Sequence, residues 1–255
     1  MTASDRRAFR TIDGIAVPAA TVVQTDEVAR IAVEATGPSR AQTTERAGFE
    51  AAMATLDMLG GRWRGSRVLL LCGAGGNGAA GVCAARHLAD RGLVVEVVTI
   101  TPPQRADGIL GQQFLTLAEA PARVIRWDEA FLAASADLVV DAVIGTHLHG
   151  EPEAVQRGLI RAALAASEAG VPVLSLDVPS GLDADTGIAP GDVVVPARTL
   201  ALGLPKPGLT RAVAGELWLA DLGIPPGVYA RAGLAFAPFF GAGGRVQLRY
   251  PADAD

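Results

Sequence analysis

The sequence contains few cysteines, few aromatic residues and few charges. Only two of its 255 residues are cysteines, Cys72 and Cys83, and they form no CxxC pair. Both lie in apolar segments, which indicates buried small side chains rather than a disulfide. Aromatic residues make up 5% of the chain and charged residues 19%, whereas hydrophobic residues make up 50%. This aliphatic composition excludes extended disorder and suits helices packed on a buried parallel sheet.

A basic surface and a membrane-crossing segment are also missing. The formal net charge is -5, which disfavours a nucleic-acid groove. Residues 1–10 have no apolar core of a secretory signal, and the longest uncharged apolar stretch near the end, 232–244, is interrupted by proline and glycine. That stretch is too short to span a bilayer. We therefore expect no nucleic-acid partner, no membrane insertion and a cytoplasmic location.

Apolar runs alternate with amphipathic segments along most of the chain. Buried strands are predicted over 68–72, 94–100, 123–125, 137–144, 173–177, 199–203 and 216–220, and helices over 26–36, 40–59, 79–91 and 153–169. Thr25 is the expected cap of the first helix. The alternation predicts a Rossmann-like three-layer α/β/α sandwich with a central, mostly parallel sheet. We assign this domain to residues 25–240, an N-terminal extension to 1–24, and a loose tail to 241–255.

The loop after the first predicted strand, residues 73–81, is rich in glycine. Ligands of such folds bind beyond the carboxyl ends of the strands, where glycines and a helix N-terminus can hold a phosphate. The loop matches GxGxxG, although a tight turn without a ligand is the alternative. Asn77 is unusual there, because its side-chain oxygen could coordinate a cation or a ligand. Glu96, the acid that a standard dinucleotide site requires, lies inside a predicted strand, which disfavours an NAD-dependent dehydrogenase.

Three charged residues mark the ends of other predicted strands. Asp141 lies inside an aliphatic strand, where a carboxylate requires hydrogen-bond donors or a cation, and a purely structural aspartate is an equal alternative. Asp177 ends a buried strand before a Pro-Ser-Gly turn that does not require it, so we favour a functional role. Lys206 lies between two prolines and could reach a phosphate, or be solvated.

Taken in order, these motifs resemble the YjeF N-terminal domain family, whose known enzymes are NAD(P)H-hydrate epimerases. The family patterns GPGNNGGDG, ARHL, DAxxG, DxPSGLDADTG and PKPG correspond to residues 73–81, 85–88, 141–145, 177–187 and 205–208. The segments 45–48 and 221–225 resemble the family's ENAG and DIGIP. The resemblance covers roughly residues 25–226. Each motif is weak by itself, whereas their order and spacing together are specific.

The resemblance implies an epimerase that interconverts the R and S hydrates of NADH and NADPH. It implies a potassium ion held by Asn77, Asp141 and Ser180, and Asp177 as a substrate-binding carboxylate and candidate acid/base group. With Lys206, the residues expected to bind the substrate and its phosphates are Gly75, Gly76, Asn77, Gly78, Gly145, Thr146, His147, Leu148, His149, Gly150 and Asp177. A separate ATP- or ADP-dependent dehydratase is the expected partner in the pathway, because no fused dehydratase domain is present, and relatives suggest a homodimer.

This sequence departs from the family pattern at the predicted site. Gly76 replaces an asparagine, Ala80 replaces an aspartate, and the family's Gly-Thr-Gly-Leu-Ser-Gly loop carries His147 and His149. Epimerisation requires proton transfer, so either histidine could replace the lost carboxylate. A transition-metal site at this His-x-His pair is disfavoured, because the sequence indicates no third ligand for the metal. Two alternatives stay open: a non-catalytic ligand-binding or scaffold domain, and an isomerase or hydratase acting on a different substrate.

Overall fold

One sheet and the helices around it make up residues 8–127 and 135–251, the part of the chain described in a computed structural model. The strands are β1 (Phe9–Thr11), β2 (Ala16–Val17), β3 (Arg67–Cys72), β4 (Val94–Thr99), β5 (Ala122–Arg126), β6 (Leu138–Ala142), β7 (Val173–Leu176), β8 (Arg198–Leu202), β9 (Glu216–Ala220) and β10 (Arg245–Arg249). The helices are α1 (Val22–Ile31), α2 (Arg40–Leu59), α3 (Gly76–Ala89), α4 (Gly108–Leu117), α5 (Ala154–Glu168), α6 (Arg211–Ala214) and α7 (Pro226–Arg231). Within the described ranges, no helix combines the length and apolarity needed to cross a membrane.

The sheet is mostly parallel, with the order β2-β1-β10-β9-β8-β7-β6-β3-β4-β5. The seven strands from β3 to β9 run parallel to one another, and β10, β1 and β2 join antiparallel at one end. The chain starts the parallel part at β3, adds β4 and β5 on one side, and then continues with β6 on the other. Ligands of such sheets bind at this reversal, beyond the carboxyl ends of the strands.

Alternate side chains of the central strands fill two cores on opposite faces of the sheet. Leu70 and Val140 belong to the core shared with α2, α3 and α4, whereas Leu71 and Val139 belong to the core shared with α5. All four side chains are buried, and each contributes roughly 1.5–3 kcal/mol. Strands that are apolar on both faces therefore require helices on both faces, and the predicted three-layer α/β/α sandwich is confirmed.

Both ends of the described chain join the sheet. β10 pairs with β9 and with β1, its Leu248 is buried, and its Arg245 forms ion pairs with Glu50 and Asp57 of α2. The expectation of a loose tail is therefore wrong for residues 245–249, because main-chain pairing and these ion pairs stabilise a stretch that is polar in composition. Residues 252–255 of that tail lie outside the described residues. On the N-terminal side, the extension assigned to 1–24 contributes β1 and β2.

Two helices begin earlier than the sequence pattern indicates. α1 follows Thr21, which forms a capping box with Gln24, so Thr25 lies inside the helix and is not its cap. Beyond Ile31 the helix continues as a π-helical turn, Ala32–Thr36. α3 begins at Gly76, three residues before its predicted start, which places Asn77 in its first turn.

Candidate functional site

Close backbone contacts shape the glycine loop after β3. A Cβ atom added to Gly73 would collide with the carbonyl oxygen of Val143, and one added to Gly78 would collide with the carbonyl oxygen of Gly73. A Cβ atom on Gly75 or Gly76 would meet nothing within 4 Å. Gly73 and Gly78 therefore permit the turn itself. Gly75 and Gly76 leave open space at the N-terminus of α3, where backbone amides can face a phosphate.

Asn77 connects the glycine loop to the carboxyl ends of two neighbouring strands. Its Nδ2 donates hydrogen bonds to the carbonyl oxygens of Leu176, at 2.8 Å, and Ile144, at 3.3 Å. A Cβ atom on Gly145 would lie 3.2 Å from the Cγ and Oδ1 atoms of Asn77. The glycine at position 145 thus lets the loop after β6 approach the amide closely.

Asp141 is fully buried in β6, and hydrogen-bond donors surround its carboxylate. Oδ2 accepts hydrogen bonds from Ser175 Oγ at 2.8 Å and from the Ser180 amide at 2.9 Å. Oδ1 accepts them from Ser180 Oγ at 2.5 Å and from the Val143 amide at 3.3 Å. Burial raises the pKa of this carboxyl group, and the hydrogen bonds oppose that rise. Of the two requirements named for Asp141, hydrogen-bond donors or a cation, the structure provides the donors.

Ser180 joins Asp141 to the Asn77 side of the site. Its Oγ accepts the Ile144 amide at 2.8 Å and lies 3.1 Å from the Ile144 carbonyl oxygen, which Asn77 also contacts. The structure therefore brings Asn77, Asp141 and Ser180 together around the backbone of Ile144. These residues come from three different segments, the start of α3, β6 and the loop after β7.

Asp177, directly after β7, has a strained backbone and a carboxylate of which only one oxygen accepts hydrogen bonds from described residues. Its φ of 65° is the only positive value of a non-glycine residue within 8–127 and 135–251, a conformation that costs roughly 1–3 kcal/mol. Its Oδ1 accepts hydrogen bonds from Lys206 Nζ at 3.0 Å and from the Leu202 amide at 3.2 Å. No described residue donates to Oδ2. Asp177 is 9% exposed and lines the cleft described below, so a functional role is better supported than a plain turn.

Lys206 is fully buried, which contradicts the alternative of a solvated lysine. Its Nζ donates to Asp177 Oδ1 and, at 2.8 Å, to the Leu204 carbonyl oxygen. A buried ammonium group is stable only when it is paired and hydrogen-bonded. Lys206 therefore holds Asp177 in place, and the predicted contact of Lys206 with a phosphate would require the ammonium group to leave this pair.

A cleft of about 370 Å³, partly open to solvent, lies at the carboxyl edge of the sheet. The glycine loop, the loop after β6 and residues of α1 and α2 line it together with Asp177. Four of its lining residues have charged or titratable side chains: Asp26, Arg40, His147 and Asp177. The predicted glycine loop and the predicted Asp177 thus share one cavity, at the reversal point of the sheet.

The loop after β6 contributes only its first half to this cleft. The lining half consists of Gly145, Thr146 and His147, and the half outside the lining consists of Leu148, His149 and Gly150. His147 Nε2 lies 3.0 Å from Oδ1 and 3.2 Å from Oδ2 of Asp26, and its Nδ1 lies 3.3 Å from Thr146 Oγ1. Of the two histidines considered from the sequence, the structure therefore places His147 at the cleft.

Sequence reasoning missed two charged residues of the cleft, Asp26 and Arg40. Both come from helices that precede β3, and no local motif distinguishes them from ordinary exposed helix residues. Arg40 is exposed, and its side chain forms no hydrogen bond or ion pair with any other described residue, so its guanidinium can face an anion. Ala80, where the family pattern has an aspartate, is buried against the same cleft.

The two helix motifs at 45–48 and 85–88 meet outside the cleft. Glu45 accepts hydrogen bonds from Arg86 at 2.5 Å and from Cys83 at 3.3 Å, and it lies 2.8 Å from His87 Nε2. Burial raises the pKa of Glu45, but the hydrogen bonds from these three residues lower it to about 2. Burial raises the pKa of the Cys83 thiol to about 12. Cys83 and Cys72 are buried and free, as predicted, and this cluster joins α2 to α3.

Comparisons with known proteins agree with the fold and with the position of the motifs. The family model described as YjeF-related protein N-terminus matches residues 40–208. A protein of Dehalogenimonas lykanthroporepellens named NAD(P)H-hydrate epimerase is 45% identical over 241 residues, which cover 94% of this chain and 96% of that protein. A protein of the same name from Truepera radiovictrix is 37% identical over 168 residues, which cover 66% of this chain and 74% of that protein.

Two further comparisons concern a longer relative and a more distant one of known structure. The bifunctional NAD(P)H-hydrate repair enzyme Nnr of Hyperthermus butylicus is 40% identical over 172 residues, which cover 64% of this chain and 31% of that protein. The crystal structure of the yeast protein YNL200c superposes with a TM-score of 0.80 at 21% identity, covers 91% of this chain and 100% of that one, and has the same fold. The family model covers more than half of the sequence, and the chain belongs to the family of YjeF-related protein N-terminal domains.

Proposed function

We propose that the protein is an NAD(P)H-hydrate epimerase, which interconverts the R and S hydrates of NADH and NADPH. The observation that carries the proposal is Asp177, a strained and nearly buried aspartate with one carboxylate oxygen free of hydrogen bonds, located in the cleft at the reversal point of the sheet. The relative from Dehalogenimonas lykanthroporepellens, which is named NAD(P)H-hydrate epimerase, is similar to this protein over nearly the whole chain.

The chemistry of epimerisation assigns a role to each oxygen of Asp177. Inverting the carbon that bears the added hydroxyl requires a bond at that carbon to break and form again, with proton transfer. Oδ1 is held by Lys206 and by the Leu202 amide, so the carboxylate keeps one orientation. Oδ2 is then the oxygen that exchanges a proton with the substrate.

The cofactor phosphates fit the open half of the glycine loop. The space beside Gly75 and Gly76 lies at the first turn of α3, and the partial positive charge of a helix N-terminus favours an anion. Gly145 and Thr146 border the same cleft, and Arg40 supplies a full positive charge at its rim. We assign the phosphates to this region, with the hydrated ring directed towards Asp177.

We also propose that Asn77, Asp141 and Ser180 hold a potassium ion. The Asp141 carboxylate, the Ser180 hydroxyl and the Ile144 carbonyl oxygen meet there, and such oxygens suit a hard cation. Asn77 directs its Nδ2 towards the carbonyl oxygens, so its amide would have to rotate to present Oδ1 to the ion. Bound there, the ion would supply positive charge beside the cleft and join the loops after β3, β6 and β7. A higher melting temperature in KCl than in NaCl at equal ionic strength, absent in Ser180→Ala, is the expected result. Equal melting temperatures in the two salts would contradict the assignment.

A coupled assay tests the epimerase function. The purified protein receives the R hydrate of NADH, an S-specific dehydratase and ATP, with potassium present, and recovered NADH absorbance is followed. We expect a rate well above uncatalysed epimerisation. The control is Asp177→Asn/Lys206→Met, which removes the reacting carboxylate without leaving a buried lysine unpaired, and we expect it to give only the background rate.

A non-catalytic ligand-binding domain is the second candidate, and Ala80 is the residue that favours it. In that case the folded protein would bind a hydrated or intact cofactor and give no rate above background in the coupled assay. The strained Asp177 argues against this candidate, because a domain without turnover gains nothing from that conformation. The separate dehydratase partner, the homodimer and the cytoplasmic location stay predictions.

A further inference from the structure

A contact between two exposed side chains crosses the mouth of the cleft. Asp26 belongs to α1 and His147 to the loop after β6, and both carboxylate oxygens of Asp26 lie within 3.2 Å of His147 Nε2. The side chains are 55% and 59% exposed, respectively. Exposed ion pairs contribute little to folding stability, so stability does not account for a pair placed over the site.

The pair lies in the same cleft as position 80, where the family pattern has an aspartate and this chain has alanine. The family's aspartate is replaced by Ala80, which lines the same cleft as Asp26, His147 and Asp177. With Asp26 engaged by His147, Asp177 would otherwise have to serve both faces of the reacting carbon. An imidazole at the cleft provides a second group that can accept and donate a proton.

We propose that His147 is a second catalytic acid/base group of this enzyme and that Asp26 is its positioning residue. The proposal rests on the epimerase function proposed above. With Nε2–H donated to Asp26, Nδ1 is the nitrogen left to exchange a proton with the substrate, and its only described contact is the long one to Thr146 Oγ1. This is the arrangement of an orienting carboxylate, an imidazole and a reacting hydroxyl, with the substrate hydroxyl taking the place of Thr146.

The proton and electron balance needs no further reactant. Dihydronicotinamide is an enamine, and water adds to an enamine at the carbon bonded to nitrogen. In the first half, the C–O bond breaks with its electron pair on oxygen, the oxygen takes a proton from the His147 imidazolium and leaves as water, and the ring nitrogen forms a C=N bond. In the second half, a water molecule attacks the other face of that carbon, the electron pair of the C=N bond returns to the ring nitrogen, and the water gives a proton to Asp177. Solvent then returns a proton to His147 and removes one from Asp177.

The other charged groups of the cleft fit this division of roles. Arg40 enters from α2 and is assigned to phosphate, and Asp177 comes from the loop after β7, where Lys206 and the Leu202 amide hold its Oδ1. Asp26 is therefore the carboxylate that directly contacts the imidazole. His149 lies outside the lining of the cleft.

Chemical rescue in the coupled assay separates a catalytic histidine from a structural one. For His147→Ala we expect kcat to fall by roughly 100-fold or more, with KM changed only a few-fold, and added imidazole to restore part of the rate. Imidazole should not rescue Asp177→Asn/Lys206→Met. Wild-type kcat in His147→Ala, or a lost rate that imidazole does not restore, would overturn the proposal. An inactive wild-type enzyme would instead refute the proposed function itself, and this inference with it.

A second set of variants tests the positioning role of Asp26. We expect Asp26→Ala to lower kcat by roughly tenfold or more and Asp26→Glu to recover most of it, at an unchanged KM. Glu27→Gln is the matched control, because it changes the neighbouring exposed carboxylate of α1, which pairs with Arg30 and does not line the cleft. Equal kcat values for Asp26→Ala and Glu27→Gln would show that Asp26 has no positioning role.

Discussion

Each buried charge of the site has its partner far away in the sequence. Asp141 and Asp177 could be identified without a structure, because a carboxylate inside or directly after an aliphatic strand requires compensation. The partner of Asp177 could not, since Lys206 follows 29 residues later and only the parallel pairing of β7 with β8 brings the two together. The same holds for Asp26 and His147, which are 121 residues apart.

Replacing Asp177 alone should destabilise the protein. Asp177→Asn leaves the fully buried Lys206 ammonium without its counter-charge, at a cost of about 3–5 kcal/mol. Asp177→Asn/Lys206→Met should recover most of the free energy of unfolding, measured by urea denaturation. Arg161→Gln, which removes an exposed ion pair with Asp192, should change it by less than about 1 kcal/mol. Equal stability of Asp177→Asn and the wild type would contradict the role of Lys206.

At the scale of elements, segments buried on both faces were the easiest to predict. β3, β4, β6 and β7 consist mainly of aliphatic residues, and such segments have few alternatives in an α/β chain. α4 was not predicted, although Leu110, Phe114 and Leu117 form a helical stripe on its buried side. The helix spans only ten residues, and the proline- and glycine-containing stretch before it suggests a loop.

The start of α3 has room for a side chain at position 76 but not at position 78. Gly78→Ala should lower the free energy of unfolding by roughly 1–3 kcal/mol or more, because the added Cβ collides with the Gly73 carbonyl group, which is backbone and cannot rotate away. Gly76→Ala is the matched control, since its Cβ would meet open space, and we expect a change within about 1 kcal/mol. Thermal melts of the two variants decide the point, and equal melting temperatures would contradict the contact.

The contact between α2 and α3 should depend on pH through Glu45. Its pKa is lowered to about 2 from the usual 4.5, so the charged form stabilises the fold above about pH 4.5, and this contribution is lost as the pH falls towards 2. Glu45→Gln should therefore melt below the wild type at neutral pH, and the difference should shrink in acid. Glu168→Gln, an exposed change on α5, should show little difference at either pH. A constant difference for Glu45→Gln would contradict this account.

At the scale of the whole molecule, the composition and the order of the motifs indicated the three-layer fold and the family. The antiparallel end of the sheet could not be predicted, because β1 and β2 span only three and two residues and β10 is polar in composition. These strands depend on pairing, including that of β1 with β10 from the other end of the chain. β10 lies between β1 and β9 and so connects the N-terminal residues to the parallel part of the sheet.

Leu248 tests whether β10 belongs to the core. Leu248→Ala should reduce the free energy of unfolding by roughly 2–5 kcal/mol, because the side chain is buried in the cluster that includes Phe9 and Leu217. Arg249→Ala, the exposed neighbour, should be nearly neutral. Urea denaturation of both variants provides the comparison, and a neutral Leu248→Ala would show that β10 contributes nothing to the core.

The most direct test of the central claim follows the two hydrates themselves. The pure R hydrate of NADH is incubated with the purified protein and potassium, without a dehydratase, and the ratio of R to S hydrate is measured over time by chromatography. We predict that the wild-type protein brings the mixture to its equilibrium ratio much faster than buffer alone, and that Asp177→Asn/Lys206→Met does not. A folded wild-type protein that leaves the R hydrate to epimerise at the uncatalysed rate would contradict the account and identify the cleft as a binding site without this activity.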